Sequence, residues 1–268
     1  MISVFDRGFL FGDGIYEVTA VIGGKILEFE GHWQRLVRSL SEIGMPPPVT
    51  RQDLLDIHRT LIRRNALAEG RIYLQVTRGA AERDFTFPSP LPAQTLVLFT
   101  QTAPVVSTKE AEHGIAVISV PDIRWARRDI KSVSLLAQVL SKQEAKAKGG
   151  KEALMHENGV VTEGGASTAY IITRDGRIIT RPNSTSILPG VTRASLQRIA
   201  AEHQITIEER AFTLAEVRDA AEAFITAASA FVTPVVSLDG VPIGSGTPGP
   251  ITRRLRSIYL EEAVKAAE

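Results

Sequence analysis

Two dipeptides, Asn158-Gly159 and Asp175-Gly176, constrain this chain more than any other feature. Each lies between short runs of β-forming residues. Asn-Gly and Asp-Gly adopt the positive-φ pair of a tight hairpin turn, whose twist matches that of antiparallel strands. Glu152–His156 and Val160–Glu163 therefore read as one hairpin, and Ala169–Thr173 with Arg177–Thr180 as a second. Ile205–Glu209, Ala223–Ala227 and Val232–Leu238 read as further strands, the last two around Ala228-Ser229-Ala230-Phe231. Helices interrupt them. One is expected at about 193–203 with Thr192 as its N-cap. A short one begins at the capping box Thr213-Leu214-Ala215-Glu216. An amphipathic helix at about 249–267 closes the chain.

The first half has a different rhythm. Ile15 to Ile22 reads as a strand ending at the turn Gly23-Gly24, with Tyr16 and Glu17 at its start, where side chains could face a cleft. Trp33, Leu36, Val37, Leu40 and Ile43 follow the helical period over 30–43, and Gly44 with Pro46-Pro47-Pro48 ends that helix. Arg35 and Arg38 lie near the edge of its apolar stripe. A solvated arginine is the ordinary case, and a buried one needs an anion. A second helix spans about 51–66, and strands follow at Arg71–Arg78, about 94–101 and about 114–120. The loop Gly79-Ala80-Ala81-Glu82-Arg83-Asp84-Phe85 joins two of them. The first ~105 residues are thus a βααββ, α+β unit. Thr102–His113 is polar, without periodicity, and reads as a linker.

Between the halves runs Arg124-Trp125-Ala126-Arg127-Arg128-Asp129-Ile130-Lys131-Ser132, ahead of a helix expected over 132–148 with Val133, Leu136, Val139, Leu140 and Gln143 on one side. Most such basic runs are solvated surface. A lysine shielded from water among guanidinium groups is instead pushed toward its neutral amine, which can condense with an aldehyde. Farther on, Thr162-Glu163-Gly164-Gly165-Ala166-Ser167-Thr168 places an acid before small residues that leave room for a flat ligand. Leu188-Pro189-Gly190-Val191-Thr192-Arg193 enters a helix whose first amides can hold a phosphate. Lysine, acid and amide cradle are the groups that pyridoxal phosphate requires, one plausible reading among several at this point.

Composition excludes other chemistries. With no cysteine there is no disulfide, thiolate metal site or cysteine nucleophile, in keeping with a reducing cytoplasm. The five histidines have no metal-ligand spacing, and no metal is expected. A net charge of +1 does not suggest nucleic acid or an anionic membrane. No apolar run nears ~18 residues, so no membrane span is expected. The glycines of Gly8 to Gly14 do not have dinucleotide-binding spacing, and no strand precedes them.

Phe11-Gly12-Asp13-Gly14-Ile15-Tyr16-Glu17, Val76-Thr77-Arg78-Gly79, Asp122-Ile123-Arg124-Trp125 with Asp129-Ile130-Lys131-Ser132, and Val161-Thr162-Glu163-Gly164 occur in this order. On these motifs the chain resembles the fold type IV aminotransferases dependent on pyridoxal 5'-phosphate, and among them the D-amino-acid (D-alanine) transaminases. The resemblance runs from Asp6-Arg7-Gly8 to Thr233-Pro234-Val235. It implies an α+β fold with a small N-terminal α/β domain (1–105), a linker and entering strand (106–120), and a cofactor-binding domain (121–268). That last domain would have a β-barrel-like sheet core with flanking helices, and the cofactor would lie in the cleft between domains. Lys131 is then the Schiff-base and proton-shuttling lysine, and Glu163 the partner of the pyridine nitrogen. Arg35, Val191, Thr192 and the amide of Ala228 bind phosphate, and Leu188 packs behind the ring. Tyr16 and Arg83 hold the substrate carboxylate, Arg83 in the neighbouring subunit's site, which implies a homodimer acting on amino acids and 2-oxo acids.

The sequence departs from the family pattern in three places. Phe85 stands where the D-amino-acid enzymes commonly have a histidine. Ala228 replaces a usual hydroxyl residue. The chain starts about one hairpin later than its relatives, so that either the start site is misplaced or the first-domain sheet has a bare edge. A branched-chain L-amino-acid aminotransferase, an (R)-amine transaminase and an aminodeoxychorismate lyase would share Lys131 and Glu163; Arg83 favours the D-amino-acid reading. The intact lysine, acid and arginine argue against a non-enzymatic cofactor-binding protein.

Overall fold

The computed structural model describes all residues from Met1 to Glu268 and divides into two compact units. The first comprises Met1–Ala103, Ile130–Leu135 and Ala267–Glu268; the second comprises Pro104–Asp129 and Leu136–Ala266.

The first unit contains α1 (Arg7–Phe11), β1 (Gly14–Ile22), β2 (Lys25–Ile26), α2 (Phe29–Glu42), α3 (Arg51–Arg64), β3 (Glu69–Thr77) and β4 (Thr95–Thr102). Its antiparallel sheet has the order β2-β1-β3-β4. Strand alternation sends Ile15, Val21, Ile72, Leu74 and Val76 to one side, where they form a core with Leu36 and Leu40 of α2 and Leu54, Leu55 and Ile62 of α3. Tyr16, Tyr73 and Phe99 lie on the other side, stacked across three strands with ring centroids 5.8 and 4.9 Å apart. β1 pairs with β2 only at Val21 and Ile22. The start of its edge is covered by the segment around Lys131: Tyr16 N donates to Lys131 O, Val133 N donates to Gly14 O, both at 3.0 Å, and Ile15 bridges Ser132. β4 pairs only with β3 and is the other edge.

That segment corrects the helix expected from residue 132. Ser132 to Leu135 are not helical, and α5 (Leu136–Ala147) begins four residues later. The backbone of 131–133 bonds to β1 instead, and Ser134 Oγ contacts Gly12 O at 3.4 Å. The apolar side assigned to this helix is not its core face. Leu136, Val139 and Leu140 are exposed, whereas Ser141 and Ala145 are buried, Ala145 against Ile118, Ala153 and Met155.

The second unit also contains α4 (Lys109–His113), β5 (Ile115–Pro121), β6 (Glu152–Glu157), β7 (Val160–Gly164), β8 (Thr168–Ile172), β9 (Ile178–Thr180), α6 (Val191–Glu202), β10 (Ile207–Glu209), α7 (Leu214–Asp219), β11 (Glu222–Ala227), β12 (Phe231–Leu238), β13 (Val241–Pro242) and α8 (Pro250–Lys265). Both hairpins read from the turn dipeptides are present, as β6–β7 and β8–β9. The sheet runs β10-β9-β8-β11-β12-β5-β6-β7, with β13 beside β12. Its ends meet: Val161 N donates to Phe212 O at 2.9 Å, and Val160 bridges Thr213. The sheet therefore curls around an interior of Val117, Val161, Ile171, Ile179, Ile225 and Leu238. The capping box at Thr213 and Glu216 forms as read. No helix is long and apolar enough to cross a membrane.

Candidate active site

In the first unit, alternation along β1 separates neighbours. Tyr16 faces the open side of the sheet and Glu17 the helix side, where it is buried. A carboxylate there needs compensation. α2 supplies it from two residues three apart on one face, His32 and Arg35. Arg35 donates to both Glu17 oxygens, at 2.8 and 2.7 Å, and His32 Nδ1 lies 2.8 Å from Oε2. Burial alone would raise the Glu17 carboxyl, but the charge and hydrogen bonds of Arg35, with those of His32, bring it down to about 2. The anion that a buried Arg35 requires is thus present within the chain. Lys131 is half-buried, its Nζ 4.1 Å from the Tyr16 ring centroid and its amide 3.4 Å from Ser39 Oγ.

Arg83 lies exposed on the loop between β3 and β4, without a hydrogen-bond or ion-pair partner in the chain. Its Cζ is 5.5 Å from the ring centroids of both Phe11 and Phe85.

The second unit holds Glu163 on β7, buried. Arg124 Nη1 donates to Glu163 Oε1 in an ion pair, and Leu188 N lies 3.2 Å from both carboxylate oxygens. Arg124 is itself clamped by Asp122, which accepts from its Nε at 2.9 Å and its Nη2 at 2.7 Å. Thr162 Oγ1 donates to Asp122 at 2.6 Å. Burial raises the proton affinity of Glu163, and the Arg124 charge opposes it. The result is an ionisable, strongly accepting carboxylate aimed by a chain of four residues. Leu188 supplies a backbone amide to that chain.

The arginine run of 124–128 does a different job from the one expected. Arg127 pairs with Asp129 at 3.0 Å, and Arg128 with Glu157 at 2.6 Å and Asp122 at 3.4 Å. With Arg124 on Asp122 and Glu163, all three guanidinium groups are matched to carboxylates. The small residues after Glu163 pack closely against their neighbours. Gly164 N donates to Ser167 O at 2.7 Å, and a Cβ at Gly165 would stand 2.9 Å from Glu152 Oε1. They make a tight β7–β8 turn.

α6 begins earlier than expected, at Val191, with Gly190 as N-cap; Thr192 lies inside the first turn. Gly190 supplies no side-chain cap, so the Val191 and Thr192 amides keep their donors, as helix N-termini do. A Cβ at residue 190 would lie 3.0 Å from Thr168 Oγ1 and 3.2 Å from Arg193 Cβ, so only glycine fits easily. The hydroxyls of Thr192 and Ser167 are buried without a hydrogen-bond partner. Buried hydroxyls are seldom left so, and these two, with the uncapped amides, suit a phosphate. Ala228 lies half-buried in the β11–β12 turn.

Sequence reasoning missed His32 as a partner of Glu17, and Asp122 with Arg124 as the support of Glu163. The signals were present: His32 and Arg35 at helical spacing opposite an acidic strand residue, and an acid two residues before the first arginine of the basic run.

The model of the amino-transferase class IV family matches residues 14–238, and the chain belongs to that family. As a member, it is a pyridoxal-phosphate-dependent transaminase of fold type IV. It is 41% identical over 255 residues to a D-alanine aminotransferase of Staphylococcus aureus strain MW2, covering 95% of this chain and 90% of that protein. It is 38% identical over 257 residues to the D-alanine aminotransferase of Bacillus licheniformis, covering 96% and 89%. A solved branched-chain amino acid aminotransferase of Escherichia coli superposes with TM-score 0.90 at 23% identity over 100% of this chain and 91% of that one, a likeness of fold.

Proposed function

We propose that the protein transfers the amino group of a D-amino acid such as D-alanine to a 2-oxo acid in a ping-pong cycle. The similarity to D-alanine aminotransferases over nearly the whole chain carries this reading. When bound, pyridoxal phosphate supplies an electron-withdrawing ring that delocalises the charge left at the donor's Cα. The first unit contributes Tyr16, Arg35, Arg83 and Lys131; the second contributes Glu163 and the start of α6.

Lys131 would hold the cofactor through Nζ, and the same Nζ, as a free amine, would take the proton from the donor's Cα. Glu163 would hold the ring nitrogen, its carboxylate oriented by Arg124 and the Leu188 amide, and the Leu188 side chain would pack against the ring. The Val191 and Thr192 amides, the Thr192 hydroxyl and the Ala228 amide bind phosphate, with Arg35 supplying positive charge. Tyr16 and the Arg83 loop hold the substrate carboxylate, Arg83 serving the neighbouring protomer of a homodimer. The exposed apolar side chains Leu136, Val139 and Leu140 of α5 support such an association. The reading places the enzyme in the cytoplasm, in keeping with a chain without cysteine.

The test is a half-reaction. Cofactor-loaded protein mixed with D-alanine should lose its visible absorption band, and with L-alanine should keep it. Loss with L-alanine alone would remove the stereochemical assignment. Lys131→Ala should lose both the band and turnover; a variant that kept full activity would remove the lysine assignment.

A further inference from the structure

The loop between β3 and β4 carries two phenyl rings at the surface, Phe85 at 78% exposure and Phe87 at 59%. Burial does not account for either position, so what their faces meet must. Arg78 Cζ lies 3.6 Å from the Phe87 centroid. The Phe85 ring lies 5.6 Å from that of Phe11, their planes inclined at 52°, and Arg83 Cζ is 5.5 Å from each centroid. The three centres form a nearly equilateral triangle, with the guanidinium astride the notch between the rings. Both distances fall within reach of cation–π attraction. Seen from Cζ the two rings lie on the same side of the guanidinium, and its donors have no hydrogen-bond partner in the chain.

The base of this arrangement is rigid. Arg7 is buried, 4.7 Å from the Phe11 centroid; its Nη1 donates to Asp84 O at 2.7 Å and its Nε to Asp13 at 2.8 Å. Arg78, also buried, donates to the same Asp13 oxygen at 2.7 Å and to Ile43 O at 2.6 Å. Asp13 thus ties together two arginines, one holding the loop through the Asp84 carbonyl and the other through the Phe87 ring. The peptide between Arg83 and Phe85 is fastened where it must be for both side chains to meet Phe11.

We propose that Phe11 and Phe85 are positioning residues for Arg83, holding its guanidinium from one side so that its donors stay free to pair with the substrate's α-carboxylate. This rests on the reading that Arg83 binds that carboxylate. Phe85 is then more than a lost imidazole. It replaces a hydrogen-bonding neighbour with an apolar one that orients the arginine and keeps water from one side of the ion pair.

The experiment is a double-mutant cycle on the cofactor-loaded protein, with steady-state kinetics on D-alanine and inhibition by propionate, a carboxylate with no amino group. Phe85→Leu should raise the KM for D-alanine and weaken propionate roughly 2–5-fold, the scale of one exposed cation–π contact, with kcat changing less. Phe85→Tyr, which keeps the ring, should restore both. Arg83→Ala should weaken both further, and adding Phe85→Leu to it should change nothing more. The Arg83 Nε–H resonance, shifted by the ring currents in the native protein, should move toward a solvent-exposed position in Phe85→Leu. If Phe85→Leu leaves KM and propionate binding unchanged while Arg83→Ala weakens both, the inference fails and the carboxylate reading stands. It fails likewise if Phe85→Leu acts equally in the Arg83→Ala background. If Arg83→Ala itself leaves D-alanine and propionate binding intact, both fall together.

Discussion

Replacing Glu17 with glutamine tests the electrostatics of the first unit most directly. Glu17 is buried on the helix side of β1, bonded to Arg35 and His32. Its carboxyl sits at about 2 in place of 4.5. A folded-state value below the unfolded one means stability fully present above about pH 4.5 and lost as pH falls toward about 2. A shift of that size corresponds to about 3 kcal/mol near pH 7, of which about 2 kcal/mol remains near pH 3.5. Glu17→Gln removes this dependence and leaves the Arg35 charge buried without its counter-ion, a loss on the order of 3–5 kcal/mol. The assay is urea unfolding of both proteins at about pH 7 and about pH 3.5. Glu17→Gln should unfold at markedly lower urea at neutral pH, and the gap should narrow by about 1 kcal/mol at the acid end. A variant within about 1 kcal/mol of the parent at neutral pH, with a gap that does not change with pH, would refute the account.

Two further outcomes follow from the second unit. Arg124→Met should let burial raise the Glu163 carboxyl further and weaken the apoprotein's hold on pyridoxal phosphate roughly tenfold, as for a lost charge-assisted hydrogen bond. Fluorescence titration of the apoprotein reads this, and an unchanged affinity would show that Arg124 does not aim Glu163. Thr213→Ala should cost about 1 kcal/mol of thermal stability through the lost cap of α7 while leaving KM for D-alanine in place.

Local chemistry was enough for the hairpins at Asn158-Gly159 and Asp175-Gly176, the turn at Gly23-Gly24, the capping box at Thr213 and the apolar period of α2. In each, backbone preference or side-chain spacing acts within a few residues. The family motifs also marked Lys131, Glu163, Arg35 and the start of α6 as groups of interest. Local chemistry misled at residues 132–135, where a helical period continues in the side chains but the backbone bonds to β1. It misled again over the arginine run, since a row of like charges in sequence does not reveal which carboxylates each will meet. The pairing of Glu17 with His32 and Arg35, the Asp122–Arg124–Glu163 chain, and the seat of Arg83 against Phe11 and Phe85 all join residues from separate elements. Sequence spacing encodes what a residue does to its own turn or strand. Which charges share a buried site depends on strand register and helix packing, because only these decide which distant side chains lose water together.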